Sequence, residues 1–179
     1  MAIEDRFKRK SAAILGLPGG ALYIDGHLEL DTDGWLPTGK PDPTHQGGTS
    51  LEYLDGSPID SNAVPFIVLP KDDWPRRHGI GLGDFAVVLS GSRMSFAVFA
   101  DRGPVDGLGE GSLALFRALG EERLRPDGDV INTGMGPGVV TIVFPNSATP
   151  EARRDQASLL ASTSAIGRRR FIDLGGNAS

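Results

Sequence analysis

The sequence contains no cysteine among its 179 residues. This absence excludes disulfide bonds, thiolate catalysis and zinc sites with cysteine ligands. Histidine is also scarce, and none of His27, His45 and His78 has a second histidine at a spacing typical of a metal site. We therefore predict neither a bound metal nor a cofactor.

Long apolar runs are absent as well. No stretch approaches the ~20 residues that a membrane-spanning helix needs, so we predict no membrane span. The first ten residues, MAIEDRFKRK, are charged. The apolar AAILGL that follows is shorter than the ~7–15 residues of a signal-peptide core. No secretion signal is visible, and three alternatives stay open: a signal outside the given sequence, a cytosolic location, or export by a signal-independent route.

Basic residues are few in the middle of the chain. Residues 11–150 contain eighteen acidic and nine basic side chains, a formal net charge of −9. This balance argues against a nucleic-acid groove and suits a cationic substrate, although it could serve solubility alone. The two ends, residues 1–10 and 151–179, sum to +4 and would suit an acidic partner.

The distribution of apolar residues predicts a mainly β fold. Four apolar runs, at residues 65–69, 85–89, 95–100 and 139–144, have the length and the β-branched content of buried strands. Two short strands around the turn signal Asp25-Gly26 bring the number to about six. Ser112 is positioned to cap one short helix, over residues 112–119. We predict a small six-stranded β-barrel with a short inserted helix.

The ends and the longest loop complete the predicted organisation. Residues 1–17 are predicted to be an N-terminal helical extension with its helix over residues 4–15, and residues 149–179 a C-terminal helix and basic tail. Both helices are expected to be peripheral to a barrel domain of residues 18–148, which should suffice for activity. The long polar loop at 31–61 is typical of a functional segment.

Two carboxylates stand out within FAVFADRGPVDGLGEGSLAL. Asp101 ends an apolar strand, Glu110 begins a helix between two glycines, and a Gly/Pro turn joins them. This arrangement can hold two carboxyl groups across one cleft, as glycoside hydrolysis requires. The structural alternative is that Asp101 caps a turn and Glu110 caps the helix. The flanking glycines would let another backbone or a sugar approach closely.

The same segment resembles the core motif of the fungal-type chitosanases, glycoside hydrolase family 75. The resemblance covers about residues 21–147 and includes ALYIDGHLELDTDG, SLEYLDGSPIDSNAVPFIVLP, LGDFAVVLS and VVTIVFPNS. It implies an inverting attack on β-1,4-linked glucosamine polymers by an Asp and a Glu, and Asp101 and Glu110 match that pair. From their positions in the sequence we interpret Glu110, between its glycines, as the general acid and Asp101, at the strand end, as the general base. The resemblance also implies a largely β domain, for which we expect a double-psi-like barrel.

Five other residues are candidates for substrate binding. Asp31 and Asp33 could hold substrate amines or form a plain acidic turn. Asp84 could contact substrate or cap the strand that it begins, and Tyr53 could stack on a sugar or pack a loop. Arg102 could tune the carboxylate pair.

Three functions remain open on the sequence. The first is an endo-acting glycoside hydrolase on chitosan, and the second is a peptidoglycan-cleaving glycosidase with a bacterial lysis or toxin role. The third is a non-catalytic carbohydrate-binding domain, against which the presence of both Asp101 and Glu110 argues. Each implies a polysaccharide partner, and we expect an extracellular or periplasmic site of action.

Overall fold

The computed structural model describes Phe7 and residues 11–178, and most of its regular structure is β. The strands are β1 (Ser11–Gly16), β2 (Leu22–Asp31), β3 (Phe66–Pro70), β4 (Phe85–Ser90), β5 (Arg93–Gly103), β6 (Glu110–Ser112) and β7 (Met135–Phe144). The helices are α1 (Trp74–Arg77), α2 (Leu113–Ala118) and α3 (Gln156–Asp173), with 3₁₀ turns at Pro18–Gly20 and Pro150–Arg154. Of the helices described, none is long and apolar enough to cross a membrane.

Six strands close into a barrel. The sheet order is β1-β2-β6-β3-β5-β4-β7, and β7 pairs back onto β2. The β2–β6 and β3–β5 pairs are parallel, whereas the other pairs are antiparallel. Strand β1 is a seventh strand added along β2. The predicted six-stranded barrel is therefore confirmed.

Strands β3 and β4 and the middle of β5 are buried on both faces, which explains their continuous apolar runs. Along β4, Phe85 and Val87 belong to one hydrophobic cluster, and Ala86 and Val88 belong to the other. Successive residues of a strand point to opposite faces, so the two clusters lie on opposite sides of the sheet. Such strands lack the polar alternation of a half-exposed strand, and this is the pattern that predicted them.

Two local predictions at the N-terminal end are wrong. Residues 11–16 of the predicted helix form strand β1 instead, pairing with β2 from Leu22 to Gly26; its residues 4–6 and 8–10 lie outside the described part of the chain. In so short a segment, the spacing of apolar residues does not distinguish a helix from a strand. The segment forms a strand because it pairs with the open edge of β2. The predicted turn at Asp25-Gly26 lies inside the continuous strand β2. Gly26 instead borders a register shift against β7.

Both helices predicted after Gly109 are present. In α2, the Ser112 side chain caps the helix by accepting a hydrogen bond from the Leu115 N–H. Helix α3 begins later than predicted, with Asp155 as its cap, and continues to Asp173. It packs on β4 and β5 and contributes Leu159 to the hydrophobic cluster on that side. The division of the chain into a sufficient barrel and two dispensable ends stays a prediction.

Asp84, immediately before β4, accepts hydrogen bonds from neighbouring loops. Its side chain is buried, and its two carboxylate oxygens accept four backbone N–H bonds. Ser147 and Ala148 donate to Oδ1, and Gly81 and Asn146 donate to Oδ2. An ionised carboxylate offers acceptors to all four donors at once. The structural alternative considered for Asp84 therefore accounts for its position.

The variant Asp84→Asn is expected to lower the free energy of unfolding by about 2 kcal/mol, because its amide nitrogen cannot accept and leaves buried N–H groups unpaired. Urea denaturation followed by circular dichroism measures this change. The matched variant Asp127→Asn replaces an exposed aspartate and should stay within about 0.5 kcal/mol of the parent. Equal stability of the two variants would contradict the structural role of Asp84.

Candidate active site

Asp101 and Glu110 face the same side of the sheet across one strand. Val68 of β3 is in register with Asp101 of β5 on one side and with Glu110 of β6 on the other. Residues in register on neighbouring strands share a face, and strands lie about 4.7–4.9 Å apart. Two such spacings place the Cα atoms of the two acids about 9–10 Å apart. The structure thus brings the two predicted carboxylates together.

A β-bulge gives Asp101 this orientation. Ile67 is in register with Phe99, but the next residue, Val68, is in register with Asp101, which leaves Ala100 as the extra residue. In a regular ladder Ala100 would lie opposite Val68, and Asp101 would point to the other face. Bulges commonly re-aim side chains beside functional sites, and this one turns Asp101 toward Glu110.

The two acids line a cleft of about 660 Å³. Its lining includes six carboxylates, Glu29, Asp31, Asp33, Asp42, Asp101 and Glu110, and two basic side chains, Lys71 and Arg102. Six of the eighteen acidic residues between positions 11 and 150 therefore line one open site. Such a cleft attracts cations and raises their local concentration.

Asp101 is held from a distant loop. Its side chain is almost fully buried, and its Oδ1 accepts hydrogen bonds from the Ser50 N–H at 2.9 Å and the Ser50 hydroxyl at 2.6 Å. The N–H of Arg102 donates to the same oxygen at 2.7 Å. A carboxylate oxygen bonded by three donors has a fixed orientation. Sequence reasoning missed Ser50, because nothing local links it to a residue 51 positions later.

The carboxyl group of Glu110 lies against the turn that follows β5. A Cβ atom added to Gly103 would be 3.0 Å from Glu110 Oε2, and one added to Gly107 would be 3.0 Å from Glu110 Oε1. A side chain at position 103 or 107 would therefore crowd the carboxyl oxygens of Glu110. The glycines of the turn make room for the proposed acid.

The glycines that flank Glu110 admit neighbouring backbone rather than sugar. Gly109 has a φ of +86°, and a Cβ atom there would collide with the carbonyl oxygen of His27. The Gly109 carbonyl accepts a hydrogen bond from the Glu29 N–H at 2.6 Å. A Cβ on Gly111 would lie 2.6 Å from Leu115 Cδ2. Of the two expectations for these glycines, the structure shows the close backbone approach.

Asp31 and Asp33 join Asp101 in a compact carboxyl cluster. One oxygen from each of the three residues lies within 4.8 Å of the others. Asp31 Oδ1 accepts the Asp33 N–H at 2.6 Å, and Asp33 Oδ1 accepts the Gln46 N–H at 2.5 Å. The carboxyl groups of Asp33 and Asp101 approach within 4.8 Å, and the neighbouring Asp101 raises the pKa of Asp33. Two carboxyl groups can share a hydrogen bond only when one carries a proton.

The electrostatics of the cluster favour retained protons. Burial, reinforced by the negative charge of Asp33, raises the pKa of Asp31 to about 8. Burial and the neighbouring Asp101 raise the pKa of Asp33 to about 7, against the lowering effect of the Gln46 N–H. Burial would also raise the pKa of Asp42, but hydrogen bonds from Thr32 and Thr44 hold it below its usual value. The cleft therefore combines protonated and ionised carboxyl groups near neutral pH.

Within the described part of the chain, these three carboxyl groups lie close enough together to be considered as a cation-binding site. The closeness of the three groups has a different explanation, because Asp31 and Asp33 accept backbone N–H bonds and their raised pKa values reduce the repulsion between them. We therefore assign the cluster no ion and treat it as a set of hydrogen-bonded carboxyl groups.

Two predicted substrate-binding residues lie elsewhere. Asp84 does not line the cleft, and its carboxylate is occupied by backbone donors. Tyr53 is buried in the hydrophobic cluster beneath α3, where its ring packs and its hydroxyl has no hydrogen-bond partner among residues 11–178. Arg102 does line the cleft, and its side chain is exposed there.

Several residues that line the cleft are not among the candidates from the sequence. Glu29, Asp42, Gln46 and Lys71 all line the site. Glu29 is in register with Glu110 on the neighbouring strand, and its side chain bonds His27 Nε2 at 3.2 Å. The alternation of Glu29 and Asp31 along β2 was a usable signal, because residues two apart on a strand share a face. The loop residues left no comparable signal.

The variant Gly103→Ala is expected to lower kcat on the substrate about tenfold, because the new methyl group displaces the Glu110 carboxyl by a few tenths of an ångström. Steady-state kinetics test this. Gly81→Ala is the matched control, since its added Cβ would meet nothing within 4 Å and Gly81 lies outside the cleft. An unchanged kcat in Gly103→Ala would show that the Glu110 carboxyl does not need its present position.

A family model described as fungal chitosanase of glycosyl hydrolase group 75 matches residues 28–171. No curated protein matches the chain significantly. The matched region contains the cleft carboxylates, from Glu29 to Glu110, and most of helix α3.

Proposed function

The chain belongs to glycosyl hydrolase group 75, the fungal chitosanase family, and on this premise we propose that it is an endo-acting chitosanase with an inverting mechanism. The substrate is a polymer of β-1,4-linked glucosamine, and Asp101 and Glu110 act on the bond between two sugars. Membership of the family implies glycoside hydrolase activity. The finer assignment of substrate, stereochemistry and residue roles is the proposal.

The observation that carries this proposal is the row Asp101–Val68–Glu110 across three strands. Inverting glycosidases hold their two carboxyl groups about 6.5–9.5 Å apart, because a water molecule must fit between the base and the sugar. Retaining enzymes bring them to about 5–5.5 Å. A separation of two strands suits the inverting arrangement, whereas carboxylates on adjacent strands would suit the retaining one.

We assign one role of the inverting mechanism to each acid. Glu110 donates its proton to the glycosidic oxygen as the C1–O bond breaks. Asp101 accepts a proton from a water molecule whose oxygen forms the new bond to C1 from the opposite face of the sugar. One glycosidic bond and one water are consumed, and the new reducing end of a β-linked chain is released as the α-anomer. Ser50 keeps the base aimed at that water.

The charge of the cleft supports a cationic polysaccharide. Protonated glucosamine units are positive, and acidic side chains outnumber basic ones six to two along the site, although the pKa values of Asp31 and Asp33 are raised to about 8 and about 7 and these two contribute less negative charge. Charged residues at this density raise the association rate of an oppositely charged polymer and make binding sensitive to salt. Because polymers of this kind occur outside cells, we propose an extracellular site of action.

Product analysis tests the proposed function. The protein is incubated with chitosan and, separately, with purified peptidoglycan, and the products are separated by size. Oligomers of several lengths from chitosan support an endo-acting chitosanase. Proton NMR at early times should show the α-anomer first. Release of fragments from peptidoglycan alone would reject the chitosan assignment, and early β-anomer would reject inversion.

A further inference from the structure

We propose that Asp33 is a positioning residue for Asp101, donating a hydrogen bond from its protonated carboxyl group to the carboxylate of the base. This inference rests on the proposed function, because it concerns how the base of that reaction is held. Asp33 does not touch the reacting atoms in this scheme. It fixes the orientation of the oxygen that accepts the proton from water.

The hydrogen bonds of the two carboxyl groups support this arrangement. Oδ1 of Asp101 accepts from the Ser50 N–H, the Ser50 hydroxyl and the Arg102 N–H. Oδ1 of Asp33 accepts from the Gln46 N–H. Each group thus has one oxygen occupied by fixed donors, and the second oxygen of each is left for their mutual contact.

The number of donors decides which group carries the proton. Three donors surround one oxygen of Asp101, and they bond best to a charged carboxylate. Asp33 accepts one N–H bond, from Gln46, and is nine-tenths buried, so its neutral form is favoured. The shared proton therefore resides on Asp33, which becomes the donor.

The charged groups around Asp33 also favour its neutral form. Asp42 shares the cleft with the pair and opposes a further negative charge on Asp33, whereas Lys71 and Arg102 are the basic side chains of its lining. Asp31 and Glu110 also line the cleft, but the pKa of Asp31 is raised to about 8 and Glu110 carries a proton in its proposed role. Burial and the neighbouring Asp101 raise the pKa of Asp33 to about 7. Below that pH Asp33 is a donor to Asp101, and above it two carboxylates repel each other.

This arrangement predicts a pH-dependent loss of base positioning. As pH rises through about 7, Asp33 loses its proton, its hydrogen bond to Asp101 is lost, and kcat falls. Asp33→Asn keeps both bonds at every pH, since its amide oxygen accepts from Gln46 and its amide nitrogen donates to Asp101. Asp33→Ala removes the donor at every pH.

The experiment measures kcat and KM on glucosamine hexamer from pH 5 to 8.5 for the parent, Asp33→Asn and Asp33→Ala. The ratio of variant to parent is reported, because titration of the substrate amines cancels in it. For Asp33→Asn we expect a kcat ratio near 1 at pH 5.5 that rises about tenfold by pH 8.5. For Asp33→Ala we expect kcat about 10–100-fold lower at pH 5.5, with KM changed less than threefold. Asp55→Asn is the control and should give a flat ratio near 1.

A flat ratio for Asp33→Asn across this range, or a normal kcat in Asp33→Ala, would overturn the proposal. A carbon-13 NMR titration of the Asp33 carboxyl in the parent and in Asp101→Asn gives a readout independent of activity. Neutralising Asp101 removes its charge, so the Asp33 midpoint should fall, and an unchanged midpoint contradicts the shared proton. Failure of the proposed function is recognised separately, because Asp101→Asn would then remain active.

Discussion

Replacement of Glu110 by glutamine is expected to lower the rate of chitosan hydrolysis by about 10²–10⁴-fold, because the amide cannot protonate the leaving oxygen. The side chain keeps its size, and Gly103 and Gly107 leave room for the amide as for the carboxyl. Folding and substrate binding should therefore persist. Reducing-end assays measure the rate, and the affinity for a glucosamine oligomer is measured by calorimetry.

Asp101→Asn is expected to be comparably damaging, because the amide cannot accept the proton of the attacking water. The matched controls are Glu151→Gln and Asp55→Asn, which change exposed residues outside the cleft and should stay within a few-fold of the parent. Retained activity in Glu110→Gln would refute the assigned acid. The protonated cleft residues Asp31 and Asp33 would then be the next candidates for the proton donor.

The barrel could be predicted from the sequence because burial on both faces leaves a continuous apolar run. The runs at 65–69, 85–89, 95–100 and 139–144 correspond to β3, β4, β5 and β7. Their length and β-branched content separated them from helices. Strand β1 could not be identified in this way, because six residues next to an open sheet edge take their structure from the partner strand.

The closeness of Asp101 and Glu110 could be predicted, but the groups that surround them could not. Asp101 and Glu110 are nine residues apart around a Gly/Pro turn, so a local pattern marks them. Ser50, Gln46 and Asp42 come from the long loop and reach the site only through the fold. The bulge at Ala100 was also invisible, since a one-residue shift of register depends on the pairing of β3 with β5.

Asp31 lines the cleft, but its surroundings bear on the role expected for it. Binding of substrate amines, one of the two interpretations of this residue from the sequence, requires a negative charge. In the structure Asp31 lies beside Asp33 and Asp101, and burial raises its pKa to about 8. At neutral pH a neutral Asp31 donates or accepts hydrogen bonds and attracts an amine only weakly. Binding of the polymer's positive charges therefore falls more to the other carboxylates of the cleft, including Glu29 and Asp42.

The raised pKa of Asp31 predicts that Asp31→Asn stabilises the protein at pH 8 but not at pH 4. In the unfolded chain Asp31 titrates near 3.8, whereas the folded protein keeps its proton up to about pH 8. Between these values the unfolded state binds fewer protons, so the free energy of unfolding falls as pH rises. Asparagine is neutral in both states and removes this penalty, and its amide oxygen still accepts the Asp33 N–H.

The expected gain at pH 8 is of the order of 3 kcal/mol, which raises Tm by about 6–12 °C for a chain of this size. Differential scanning calorimetry at pH 4, 6 and 8 measures it, and the gain should grow across the series. Asp55→Asn provides the comparison, because hydrogen bonds from Ser57 lower the pKa of this exposed carboxyl and its removal should give no gain at high pH. An equal Tm change for Asp31→Asn at pH 4 and pH 8 would mean that Asp31 is ionised in the folded protein, and the cleft would then carry one more negative charge for its substrate.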